Sequence, residues 1–204
     1  ELIYRSISNS YTSIAITDHS GPGYLDRVVR EIASDCALAR EKWHINAIPG
    51  VELTYVPPAA IDEVARRAKE IGAWIVVVHG ESIVEPVEKG TNKAALLCPY
   101  VDILAHPGLI TKEEAQLAAT NGIYLEISAR KGHSLTNGHV ARLAHEAGAK
   151  LILNSDAHDP GDILTHSLAR NIIIGAGLSE AQCEEVMTVN AQSLLDAVLQ
   201  KYQR

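Results

Sequence analysis

The sequence predicts an α/β protein built on a parallel sheet. Two observations carry this: short β-branched runs alternate with longer stretches of helical periodicity from end to end, and the strand runs are continuously apolar. Such strands are buried on both faces, which requires helix layers on both sides or closure into a barrel. Periodicity does not choose between these; the placement of polar residues does.

Six strands are expected: Ser13 to Thr17, Asn46 to Val51, Trp74 to His79, Asp102 to His106, Tyr124 to Ser128 and Leu151 to Asn154. Helical patterns separate them at Gly23 to Lys42, Ala60 to Ile71, Lys112 to Asn121 and Gly138 to Ala147, with Gly72, Gly122 and Gly148 as C-terminal stops. Three more helices follow, Asp162 to Ile173, Ser179 to Val189 and Ala191 to Tyr202, the middle one capped by Ser179. No linker or repeat divides residues 1–204, so one domain is expected. The chain opens within a helical pattern, Glu1 to Tyr11, and a strand preceding it is expected to be missing.

Composition narrows the function classes. Apolar residues make up 47% and charged residues 21%, ordinary for a globular protein. The strongest apolar run, Ala73 to Val78, is strand-sized, far below the roughly 20 residues that span a bilayer, so no membrane partner is expected. A formal charge of -7 repels a phosphate backbone and counts against nucleic acid as a partner. Cys36, Cys98 and Cys183 are far apart and lack CxxC spacing, which suggests neither a disulfide framework nor a zinc ribbon. A reducing cytoplasm is the expected compartment.

The C-terminal end of strand after strand carries a metal-capable side chain: His19, Glu52, His79 and His106, then Asp156 and His158 after the last strand. In a β/α barrel that edge is where loops converge and active sites sit, so the pattern favours the barrel. Singly, a histidine at a strand end is more often an ordinary core or surface residue. As a set, imidazoles and carboxylates suit Zn, Mn or Fe, with a carboxylate able to bridge two cations.

The segments Ile16-Thr17-Asp18-His19, Pro49-Gly50-Val51-Glu52, Val78-His79-Gly80, Ala105-His106-Pro107-Gly108 and Ser155-Asp156-Ala157-His158 resemble, in order, the motifs of the PHP (polymerase and histidinol phosphatase) superfamily. Through Ser128-Ala129-Arg130-Lys131-Gly132-His133 the chain is most similar to stand-alone histidinol-phosphatase-like members. The resemblance implies a distorted (β/α)7 TIM-like barrel carrying up to three divalent metal ions. It implies that Glu52 bridges two metals, that His79 and His106 complete the second, that Asp156 serves the first, and that His19 and His158 hold the third. Asp156, His158 and His19 thereby become the candidate catalytic residues. The family's His-x-His pair on its first strand has no counterpart here, and six strands plus one absent N-terminal strand would make the family's seven.

The loop Arg130 to His133 follows the fifth strand, so Arg130, Lys131 and His133 are candidate substrate-binding residues: Arg130 offers a planar fork for phosphate oxygens and Lys131 a point charge. A solvated basic loop is the equal alternative. Glu126 either points into the barrel to orient a ligand or faces a helix. Asp18 and Asp159 flank the candidate ligands and either orient them or are ordinary surface aspartates, the two readings being equal. The acidic segment Glu81 to Asn92 suits a lid, a merely solvated loop being the more frequent outcome, whereas His44, His139, His145 and His166 lie on helical stretches or their ends and are expected to be ordinary.

The implied reaction is hydrolysis of a small phosphomonoester by a metal-activated hydroxide attacking phosphorus in line, with Arg130 orienting the phosphate. The rival readings are a non-catalytic metal-binding module and a phosphodiesterase acting on a nucleotide or nucleic-acid 3′ end. Metal ligands specify reaction type while loops choose substrate, so neither the ester nor the oligomeric state is legible.

Overall fold

The computed structural model describes residues 1–202. Seven parallel strand segments form one sheet: β1 (Ser13–Ile16), β2 (His19–Ser20), β3 (Asn46–Leu53), β4 (Ile75–His79), β5 (Ile103–Ala105), β6 (Tyr124–Ser128) and β7 (Leu151–Asn154). β1 and β2 both pair with β3, Ile16 opposite Pro49 and His19 opposite Glu52, so they are one strand interrupted at Thr17 and Asp18. The six expected strands are therefore present, in the order β1-β3-β4-β5-β6-β7.

This sheet curls as a half-barrel. Its edges, β1 and β7, are not paired with each other among the described residues; a cavity of ≈ 910 Å³ opens between them instead. The closed seven-stranded barrel expected from the sequence is thus not formed by these residues.

Helices connect the strands: α1 (Leu2–Ser8) before β1, α2 (Leu25–Trp43), α3 (Ile61–Glu70), α4 (Thr91–Leu97), α5 (Lys112–Asn121) and α6 (Asn137–Ala147) between strands, and α7 (His166–Gly175), α8 (Glu180–Glu184) and α9 (Ala191–Tyr202) after β7. α5 begins with a capping box in which Thr111 and Glu114 exchange bonds, and ends on Gly122 at φ 70. Two differences from expectation have local causes. α4 is a helix the sequence did not announce; it starts at the end of the acidic segment Glu81 to Asn92, where Glu81 accepts hydrogen bonds from the Gly90 and Asn92 amides and so caps it. α8 and α9 are continuous through a π-helical turn, Glu185–Asn190, and the buried Asn190 amide at its end donates to Leu151 O on β7. None of the described helices is long and apolar enough to cross a membrane.

Strand alternation sorts the core into two layers. Val51, Leu53, Val76, Val78, Leu104, Leu125 and Ile127 face the surrounding helices. Ile48, Ile75, Val77, Ile103, Tyr124 and Ile152 line the inner face, and Leu194 and Val198 of α9 pack against them. The inner rows run upward in steps of two: Ile48, Gly50, Glu52; Ile75, Val77, His79; Tyr124, Glu126, Ser128. The fold thus places an apolar floor beneath a polar mouth at the strand C-termini.

Candidate metal centre

Parity alone directs Glu52, His79 and Glu126 inward. His106 follows Ala105 at the end of β5 and would face the helices if the strand continued. Its backbone leaves the extended region at φ 27, and its ring meets inner-face groups, with Nδ1 3.2 Å from Glu126 Oε1 and Nε2 3.1 Å from His79 Nδ1. Asp156 lies two residues beyond Asn154 on the inner row that begins at Ile152, and its backbone also has a positive φ, of 50. Two glycines permit the turns that follow. A Cβ on Gly80 would stand 2.4 Å from Ala105 O, and one on Gly108, at φ 63, would stand 1.9 Å from Glu81 O, so the loops after β4 and β5 touch backbone to backbone.

The gathered side chains form two groups, His19 with Glu52 and His79, and His106 with His133 and Asp156; within each, ligand atoms lie within 4.8 Å of one another. Glu52 Oε1 stands 3.1 Å from His79 Nδ1, 3.6 Å from His19 Nε2 and 3.7 Å from His106 Nε2. Ligand atoms about 2.1 Å from a tetrahedral cation are separated by about 3.4 Å, so this spacing and this nitrogen-oxygen set fit a divalent metal. His158 lies outside both groups but beside them, its ring edge-on to His19 at 5.6 Å and its Nδ1 3.5 Å from Asp156 Oδ1. All six residues expected to hold metal therefore meet at one mouth.

The supporting shell is more specific than the sequence suggested. Glu126 is 3% exposed, and its other oxygen accepts from Asn154 Nδ2 at 2.9 Å, so it faces inward and braces His106. His133 is buried: Ser82 Oγ lies 2.6 Å from its Nδ1, and its Nε2 points between Glu85 Oε2 at 3.4 Å and Asp156 Oδ2 at 4.0 Å. That sets it among the metal-capable groups, stacked on His106 at 4.0 Å between centroids. Arg130 sits beside Asp156, donating to its carbonyl at 3.4 Å with Nε 4.0 Å from its carboxylate. Lys131 is exposed and separate.

Asp18 is exposed, and it is Asp162, not Asp159, whose carboxylate accepts from the His158 amide. Of the histidines expected to be ordinary, His44 ends α2, His139 bonds Ile110 O and His145 meets Gln182. Sequence reasoning missed Ser82, Glu85 and Asp162; loop residues that act through a partner far along the chain carry no periodic signal.

The electrostatics reflect crowding. Burial pulls His106 down, but the Glu126 hydrogen bond and charge, then Glu52 and Asp156, outweigh it and bring the imidazole to about 9. His133 is lowered to about 4 by burial and by the neighbouring His106 and His79. Asp156 is raised by burial and by the charges of Glu126 and Glu52. A cation would relieve both the carboxylate repulsion and the proton held on His106.

No protein-family model matches the chain. It is 41% identical over 199 residues to the uncharacterized protein MJ1295 of Methanocaldococcus jannaschii, covering 97% of this chain and 91% of that protein. It is 34% identical over 173 residues to a probable phosphatase of Shewanella loihica, covering 71% of this chain and 64% of the relative. In three dimensions it resembles the crystal structure of histidinol phosphate phosphatase from Lactococcus lactis subsp. lactis Il1403, itself complexed with zinc, L-histidinol and phosphate; the TM-score is 0.55 over 87% of each chain at 18% identity, a likeness of fold. With the metal-capable mouth at the strand ends, these similarities lead to one conclusion: the chain belongs to the family of MJ1295, within the PHP-like phosphatase superfamily.

Proposed function

We propose that this protein is a metal-dependent phosphatase that hydrolyses a small phosphomonoester at the mouth of the half-barrel. The observation that carries the reading is the convergence of His19, Glu52, His79, His106, His133 and Asp156 into two adjoining ligand groups. Glu52, His19 and His79 would hold one cation and His106, His133 and Asp156 a second, with Glu52 standing between the two sets, 3.7 Å from His106 Nε2. A divalent cation bound there, zinc, manganese or iron, lowers the pKa of water and neutralises charge on phosphoryl oxygens.

The chain's own residues supply the rest. Arg130 orients the phosphate, its guanidinium steadied by Asp156 and still one-third exposed. His158 has Nδ1 engaged with Asp156 O, so its other nitrogen is the group that passes a proton to the leaving alkoxide or, with His19, holds a third cation. Glu126 holds the His106 ring in place, and Ser82 does the same for His133. Lys131 adds positive charge at the rim. A further parallel strand, pairing with the free edges of β1 and β7, would complete a seven-stranded barrel over the cavity between them.

The test is a panel of small phosphate esters assayed with metal stripped and restored. Hydrolysis should disappear in excess chelator and return with manganese or zinc, in step with bound metal. Full turnover in excess chelator would overturn the reading.

A further inference from the structure

Among the described residues, five that are not glycine have a positive φ: Ser10, His44, Tyr55, His106 and Asp156. His44 is the C-cap of α2 and Ser10 follows the C-cap of α1, positions where such a conformation ends a helix's last turn. His106 and Asp156 are members of the metal-capable groups. Tyr55 remains, and for a bulky residue φ 54 is a genuine outlier. Folding gives little in return, because the side chain is 64% exposed. Its ring is stacked on the buried His79 ring, centroids 6.3 Å apart and planes 21° from parallel, three residues beyond Glu52. The rigid pair Pro57-Pro58 follows it. Beyond His79, the loop whose Glu85 carbonyl meets His79 Nε2 presents Ile83 and Val84, about half exposed. Strain retained beside a reactive centre, on a residue that buries little, marks a ligand clamp.

We propose that Tyr55 is a specificity residue, a stacking platform for a planar ring carried by the organic part of the phosphate ester. This rests on the phosphomonoester reading of the site. An aromatic face at the rim favours flat leaving groups over compact aliphatic ones.

The experiment compares binding of phenylphosphonate and methylphosphonate to manganese-loaded wild type, Tyr55→Phe and Tyr55→Asn by calorimetry, alongside thermal unfolding. Asparagine tolerates the left-handed backbone, so Tyr55→Asn should unfold at a temperature no lower than the wild type. Wild type and Tyr55→Phe should prefer the phenyl ligand by about tenfold, and Tyr55→Asn should lose that preference. A wild type that binds both equally or binds neither, or a Tyr55→Asn that keeps the preference, overturns the proposal. Parallel hydrolysis assays separate the two readings: turnover of phosphate esters without ring preference sinks the platform alone, whereas ring-dependent phosphonate binding without any turnover sinks the phosphatase.

Discussion

His106 Nδ1 lies 3.2 Å from Glu126 Oε1, and both residues are 3% exposed. A buried carboxylate against one ring nitrogen leaves the other, Nε2, as the atom available to a cation in the proposed site and sets its basicity. Glu126→Gln keeps the shape and removes the charge. Metal affinity should fall about 10- to 100-fold, measured by competition with a chromophoric chelator. An unchanged affinity would mean that the carboxylate does not orient this ligand.

The two stacked imidazoles titrate in opposite directions, which gives the metal-free protein a defined pH response. His106, raised to about 9, adds stability that is complete below the unfolded value of about 6.5 and is lost as pH rises toward 9. His133, lowered to about 4, costs stability as pH falls from about 6.5 toward 4, because the unfolded chain takes up a proton that the folded chain refuses. These groups together place the stability maximum of the chelated protein near pH 6.5, checked by denaturant unfolding across pH. With saturating manganese the alkaline limb should vanish, since ligation needs His106 neutral, and metal binding at pH 7 should release a proton.

Arg130 reaches Asp156 through its carbonyl and its carboxylate, and its remaining donors are the ones available to a phosphate. Arg130→Lys keeps the charge but loses the fork. Steady-state kinetics should show KM rising by about tenfold with metal content unchanged. A KM within error of the wild type would assign the arginine to Asp156 alone.

Gly108 separates close approach from simple backbone preference. A methyl group there would lie 1.9 Å from Glu81 O, whereas at Gly122, which also has a positive φ, it would meet nothing within 4 Å. Gly108→Ala should destabilise by about 3 kcal/mol or more and loosen the His79 and His106 loops, against about 1 kcal/mol for Gly122→Ala. Equal losses in equilibrium unfolding would contradict the packing described.

Much of this was legible in the chain. The strands stand where apolar runs stand, because a strand buried on both faces is mostly apolar until its end. For the same reason the first polar residues after those runs, Glu52, His79 and His106, are those that emerge at the mouth. Glu126 was ambiguous: in a run apolar on both faces, alternation does not tell inside from outside until a partner such as His106 is in view.

Other features depend on groups distant in the chain. His133 looked like a rim residue beside Lys131, and its burial arises from Ser82, 51 positions away. The inward turn of His106 rests on a left-handed backbone that strand periodicity does not encode. The open seam between β1 and β7 is likewise a matter of closure, since curvature and register are set by how all the strands pack at once. Local chemistry is written residue by residue, and so the sequence names the metal-capable side chains; which atoms converge, and what braces them, follows from burial and hydrogen bonding between segments that meet only in the folded chain.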